Sequence, residues 1–121
     1  MHETRGLNVA ADPFFTAAYT GVTGGAVILV ADDNGCHSSQ NEQDSRYYGR
    51  SAGVPVLEPS TSQECKDYIM KAYEISEKYD TVVLMRSNTR VSHARGIVEL
   101  GERTERHRIP YVKNIQKYVA M

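Results

Sequence analysis

The chain has 121 residues, enough for one domain and not two, with 40% hydrophobic residues, 24% charged residues and a net charge of −1. That balance excludes a largely disordered chain, and the charge gives no electrostatic case for binding nucleic acid or an anionic membrane. Its two cysteines, Cys36 and Cys65, lie far apart and form no cluster, so cysteines alone build neither a zinc site nor an iron–sulfur centre here.

Asp12-Pro13 reads as a helix start, with Asp as the cap and Pro as the first helical residue. Phe14, Phe15, Ala17, Ala18 and Tyr19 make this short helix apolar, and Gly21 is its stop. Thr23-Gly24-Gly25 then turns into the apolar run of residues 26–31, read as a strand buried on both faces. Residues 37–46 follow as ten polar side chains without a break. Ser39 and Glu42 stand at capping-box spacing, which predicts a helix of about three turns ending near Gly53.

Residues 54–57 read as a short second strand, and Thr61 with Glu64 as a second capping box. The next helix is the clearest element: Cys65, Ile69, Ala72, Ser76 and Tyr79 recur at helical spacing, with Tyr68 and Ile75 widening the stripe. Residues 81–85 are a third, nearly all-apolar strand. Strand, helix, strand, helix, strand predicts a parallel sheet with right-handed crossovers. Residues 104–121 read as a charged tail or linker, with Ile109, Tyr111, Val112 and Ile115 docking it loosely. No secretory signal is visible, so the cysteines are expected as free thiols in the cytoplasm, with one disulfide left open. No apolar stretch approaches the roughly 20 residues of a membrane span.

In open α/β sheets, ligands sit just outside the carboxyl ends of the strands, and the polar decapeptide falls there. The plain alternative is a solvated loop. Arg46 can grip a carboxylate or phosphate through its planar guanidinium, or pair with Glu42 one turn earlier. His37 can move a proton near neutral pH, but a lone loop histidine more often only hydrogen-bonds. A Cys36–His37 nucleophilic pair is disfavoured, because adjacent side chains usually point apart and no third group is evident. Asp32, Asp33, Glu42 and Asp44 offer carboxylates to Mg²⁺ or Ca²⁺. Asp32-x-Asn34-Gly35 faintly resembles a calcium loop, but the later acidic ligand is missing. Arg86, Arg90, His93 and Arg95 either grip phosphate or, as the preferred reading, form a solvated basic surface. There is no GxGxxG and no P-loop.

Five stretches carry a family resemblance: residues 6–13, 18–21, 31–33, 37–48 and 89–93, the last reading Thr-Arg-Val-Ser-His. Across about residues 6–103 the chain resembles the large (alpha) subunits of the indolepyruvate type among thiamine-diphosphate-dependent 2-oxoacid:ferredoxin oxidoreductases. The matching region is the later part of the domain that holds the cofactor's pyrimidine ring. The resemblance implies that the thiazolium carbon adds to an arylpyruvate, carbon dioxide leaves, electrons pass singly through iron–sulfur clusters to ferredoxin, and coenzyme A takes the acyl group. It also implies that Arg46 meets the substrate carboxylate, with His37, Ser38, Ser39 and Asn41 lining the same mouth.

Three family features are absent: the upstream glutamate that contacts the aminopyrimidine, the Gly-Asp-Gly motif for Mg²⁺ and diphosphate, and the cysteine-rich cluster segments. Met1 therefore reads as the start of a truncated gene, an internal start, or one piece of a split enzyme. The expected fold is a three-layer α/β/α sandwich on a short parallel sheet, incomplete at its N-terminus, with residues 1–103 forming the partial domain. Such a sheet should expose an apolar edge that self-association or a partner subunit covers. Thiamine diphosphate with Mg²⁺ belongs to the complete enzyme and is not expected to bind this chain tightly. No iron–sulfur cluster, nucleic acid or membrane is expected for it. The alternative is a non-catalytic binding module that kept the fold and takes an anion or a partner.

Overall fold

In the computed structural model, residues 5–103, 105 and 110–116 are described. Two short helices, α1 (Arg5–Val9) and α2 (Ala11–Thr20), lead into β1 (Ala26–Asp32), followed by α3 (Arg46–Ala52), β2 (Val56–Leu57), α4 (Ser62–Tyr79), β3 (Val82–Asn88) and α5 (Thr89–His93). The strands form one parallel sheet in the order β1-β3-β2. Ala26 pairs with Val82 and Asp32 with Asn88, so β1 and β3 end level, and Val56 pairs with Leu84.

Alternation along β3 divides the core between the two faces of the sheet. Val82 and Leu84 join Leu7, Phe14, Val30 and Val54 in the main cluster beneath α1, α2 and α3. Val83 and Met85 turn to the other face, where α4 packs and Ala72 is fully buried. The result is the expected α/β/α sandwich. Ser76 ties α4 to the sheet: its Oγ accepts the Ala26 amide at 2.8 Å and donates to the Thr81 carbonyl at 2.5 Å. Helix α3 lies directly on the sheet at Gly49, where a Cβ would fall 2.2 Å from Val56 Cγ2. Only glycine allows that approach.

Several expectations change. Asp12 is not a cap: α2 begins at Ala11, almost continuous with α1, because the Phe14 amide bonds to the Ala10 carbonyl. Pro13 still falls in the first turn, where its missing N–H costs no bond. The three-turn helix after the polar loop shrinks to α3, starting at Arg46. The Ser39–Glu42 box does not form, because Ser39 Oγ instead donates to Asp33. The Thr61 cap does form, accepting the Glu64 amide, while the Glu64 carboxylate turns to Ser60. Tyr79, placed on the buried stripe of α4, is 64% exposed. Tyr111, Val112 and Ile115 are exposed and not docked, and Ile109 lies outside the described residues.

The open apolar edge expected of an incomplete sheet falls at β1, and the reading of this strand as buried on both faces does not hold. It has β3 on one side and, among the described residues, no strand on the other. Leu29, at its centre, is 66% exposed. An apolar hollow opens beside this edge on each face: one lined by Leu7, Phe14, Ile28 and Val30, the other by Leu29, Ala31, Cys65, Ile69 and Met85. The run is apolar on both faces, as buried strands are, but the described sheet stops where its cover would begin. No helix of the described residues is long and apolar enough to cross a membrane.

Candidate functional site

β1 and β3 finish side by side, and their last residues are polar. At this end, Arg86 is the organising group. It is 2% exposed, and its Nε donates to Asp32 Oδ2 at 2.5 Å. Its Nη1 donates to Glu58 and its Nη2 to Asn34 Oδ1 at 3.2 Å. The same Asp32 oxygen accepts the amide and the hydroxyl of Ser45, both at 2.9 Å. One buried ion pair thus joins the ends of two strands to the residue from which α3 springs. A buried charge tolerates such a site only when paired and hydrogen-bonded, as here.

Arg86 does not lie past a strand end on a basic surface with Arg90, His93 and Arg95, as the sequence suggests: β3 continues to Asn88, and Arg86 shares the face of Val82 and Leu84 by strand alternation.

Asp33 organises the loop. Its carboxylate accepts the Ser38 amide at 2.7 Å, the Ser39 hydroxyl at 2.9 Å and the Thr89 hydroxyl at 2.7 Å. These donors, the Ser38 amide foremost, hold its pKa well below the usual carboxylate range. The loop is therefore pinned to the first residue of α5.

Arg46 opens α3 and is exposed, but its guanidinium is engaged. Asp44 accepts its Nε at 2.8 and 3.0 Å and its Nη2 at 2.6 Å, and Glu58 lies 3.9 Å from Nη1. The partner is Asp44, two residues back, and not Glu42. This hydrogen bonding lowers Asp44 to about 2 and raises Arg46 above its ordinary value. Glu58 bridges Arg46 and Arg86, so both arginines belong to one charged cluster.

The other expected residues are placed unevenly. Ser38 contributes its amide to Asp33, and the Ser39 hydroxyl is spent on the same carboxylate. Asn41 accepts from Gln43 Nε2 at 3.0 Å in an exposed position, and Gln43 Oε1 is buried without a partner. His37 lines an open cavity with Arg90 and His93, while Arg46 lies with Asp44 and Glu58. The loop thus presents two separate groupings. Cys36 donates its thiol to the Ser39 carbonyl at 3.2 Å, which leaves no Cys–His pair. The sequence offers Asp32 and Asp33 only as metal carboxylates and Arg86 only as part of a basic cluster, and it gives no signal for Ser45, Glu58 or Thr89. The available signal was two adjacent acids ending one strand and an arginine in phase with another.

A parallel sheet with a pinned polar loop and paired charges at its strand ends is an open α/β domain, the class in which ligands sit outside the strand ends. A family model for the pyruvate flavodoxin/ferredoxin oxidoreductase, thiamine diphosphate-binding domain matches residues 30–118, and the chain belongs to that family. Similar curated proteins include indolepyruvate oxidoreductase subunit IorA of Archaeoglobus fulgidus, 54% identical over 84% of this chain and 16% of its own length. The subunits of the same name from Methanothermobacter marburgensis and Pyrococcus horikoshii are 59% and 50% identical, over 81% and 94% of this chain and 16% and 18% of theirs. The chain therefore spans about one-sixth of the length of these relatives. No solved structure matches it significantly.

The residues described do not fit the diphosphate–metal end of the family's cofactor. Among them, no three His, Cys, Asp or Glu side chains gather to hold a metal ion. Asp32, Asp33 and Asp44 spend their oxygens on Arg86, Ser45, Ser38, Ser39, Thr89 and Arg46.

Proposed function

We propose that this chain forms one wall of the substrate site of a thiamine-diphosphate-dependent indolepyruvate (arylpyruvate) ferredoxin oxidoreductase and does not turn over alone. The observation that carries this reading is the Arg86–Asp32–Ser45 network, which fixes the start of α3, and with it Arg46, at the strand ends. Thiamine diphosphate, Mg²⁺, the iron–sulfur clusters, ferredoxin and coenzyme A belong to the complete cytoplasmic enzyme, supplied by segments or subunits beyond these residues. The apolar edge of β1 is where such a companion, or a second copy, joins.

In this reading Arg46 receives the oxoacid carboxylate. Asp44 holds the guanidinium charged and oriented, then yields part of it to the incoming anion. Ser38, Ser39 and Asn41 line the approach, while His37 faces the neighbouring cavity with Arg90 and His93. The engaged state of every buried carboxylate favours a second reading, a binding module that kept the fold and lost the chemistry. Reconstitution separates the two. In a complex with the remaining length of the relatives, Arg46→Ala should raise KM for the arylpyruvate about tenfold or more, with a smaller change in kcat. Unchanged kinetics would remove Arg46 from the site, and a complex without any turnover would favour the module.

A further inference from the structure

Beside the Arg86 network, Asn34, His37, Asn88, Thr89, Arg90 and His93 line an open cavity of about 520 Å³. Helix α5 carries Arg90 and His93 three residues apart, so they are neighbours on one face. His37 comes from the opposite wall. Gly35 makes room for it: its φ is +84°, and a Cβ there would sit 3.3 Å from His37 Nε2. Asp33 fastens the two walls together through the Ser38 amide and Ser39 hydroxyl on one side and the Thr89 hydroxyl on the other.

The charge pattern distinguishes this cavity from the Arg46 cluster. Nearby acids are already matched, Asp32 and Glu58 with Arg86 and Asp44 with Arg46. The negative charge of Asp33 is shared among three donors. The Arg90 side chain has no ion pair or hydrogen bond among the described residues. An exposed guanidinium with two imidazoles and two amide side chains around one hollow matches a small oxyanion, which it can grip bidentately.

We propose that this cavity is an anion subsite for a carboxylate or phosphate group, anchored by Arg90 and flanked by His37 and His93. It is separate from the role given to Arg46 and does not depend on the cofactor chemistry. The test follows the ring signals of His37 and His93 by NMR in the full chain, assigned with His37→Gln and His93→Gln. Inorganic phosphate and pyruvate are added separately at constant ionic strength. At least one anion should shift both rings saturably, and which one saturates identifies the ligand class. Arg90→Gln should raise the half-saturating concentration about tenfold. Arg50→Gln, which removes an exposed charge from α3, should leave it unchanged. Linear shifts with both anions, or the same half-saturation in Arg90→Gln, would overturn the proposal.

Discussion

Arg86→Met should destabilise the fold by about 3–5 kcal/mol, because it leaves the Asp32 carboxylate buried with its cation gone. Asp32 is 1% exposed and cannot recover the loss from water. The donors that Ser45 gives it, an amide and a hydroxyl, are neutral. A small domain holds only about 5–15 kcal/mol in total, so the variant should sit near its unfolding threshold. The pair Asp32→Asn with Arg86→Met should recover part of the loss, since no buried charge is then stranded. Urea unfolding of the wild type and the two variants measures both terms. A loss under about 1 kcal/mol for Arg86→Met would place the pair in a wetter environment than the one described.

Leu29→Asp should abolish association through the β1 edge. Leu29 stands at the middle of the open strand, between two apolar hollows, one on each face. An added strand with apolar residues on both faces fills both hollows and pairs with the exposed backbone. A carboxylate there would have to be buried without a partner, which weakens the contact by about a hundredfold or more. Sedimentation of the chain alone and with its companion polypeptide reads the effect. Wild type should associate in at least one of these conditions and the variant in neither. A variant that assembles as the wild type does would show that the interface lies elsewhere.

The elements were legible where one signal dominated. The 3.6-residue stripe of α4, its Thr61 cap and the apolar runs of β1 and β3 all stand in the sequence and in the fold. The site was legible only in position. Ten polar residues after a strand mark a strand-end loop, but which of them face one another depends on pairing far along the chain. Asp32 meets Arg86 across 54 positions, and Thr89 meets Asp33 across 56. Ser39 with Glu42 had the spacing of a helix cap, yet the stronger acceptor, Asp33, took the hydroxyl and delayed the helix to Arg46. Arg86 was misplaced for a related reason. A charge at the end of an apolar run reads as the end of the strand unless its buried partners are known.

Cys36 gives the most direct test of whether the polar loop faces a shared cleft. Its thiol is exposed beside His37, whereas Cys65 is half-buried with its pKa pushed up by burial, an internal control that should react slowly throughout. Alkylation by iodoacetamide, followed by mass spectrometry, should be fast at Cys36 in the chain alone. It should fall severalfold in the reconstituted complex and further when phenylpyruvate is added. Equal Cys36 reactivity in all three states would mean that the loop meets bulk water and walls no site.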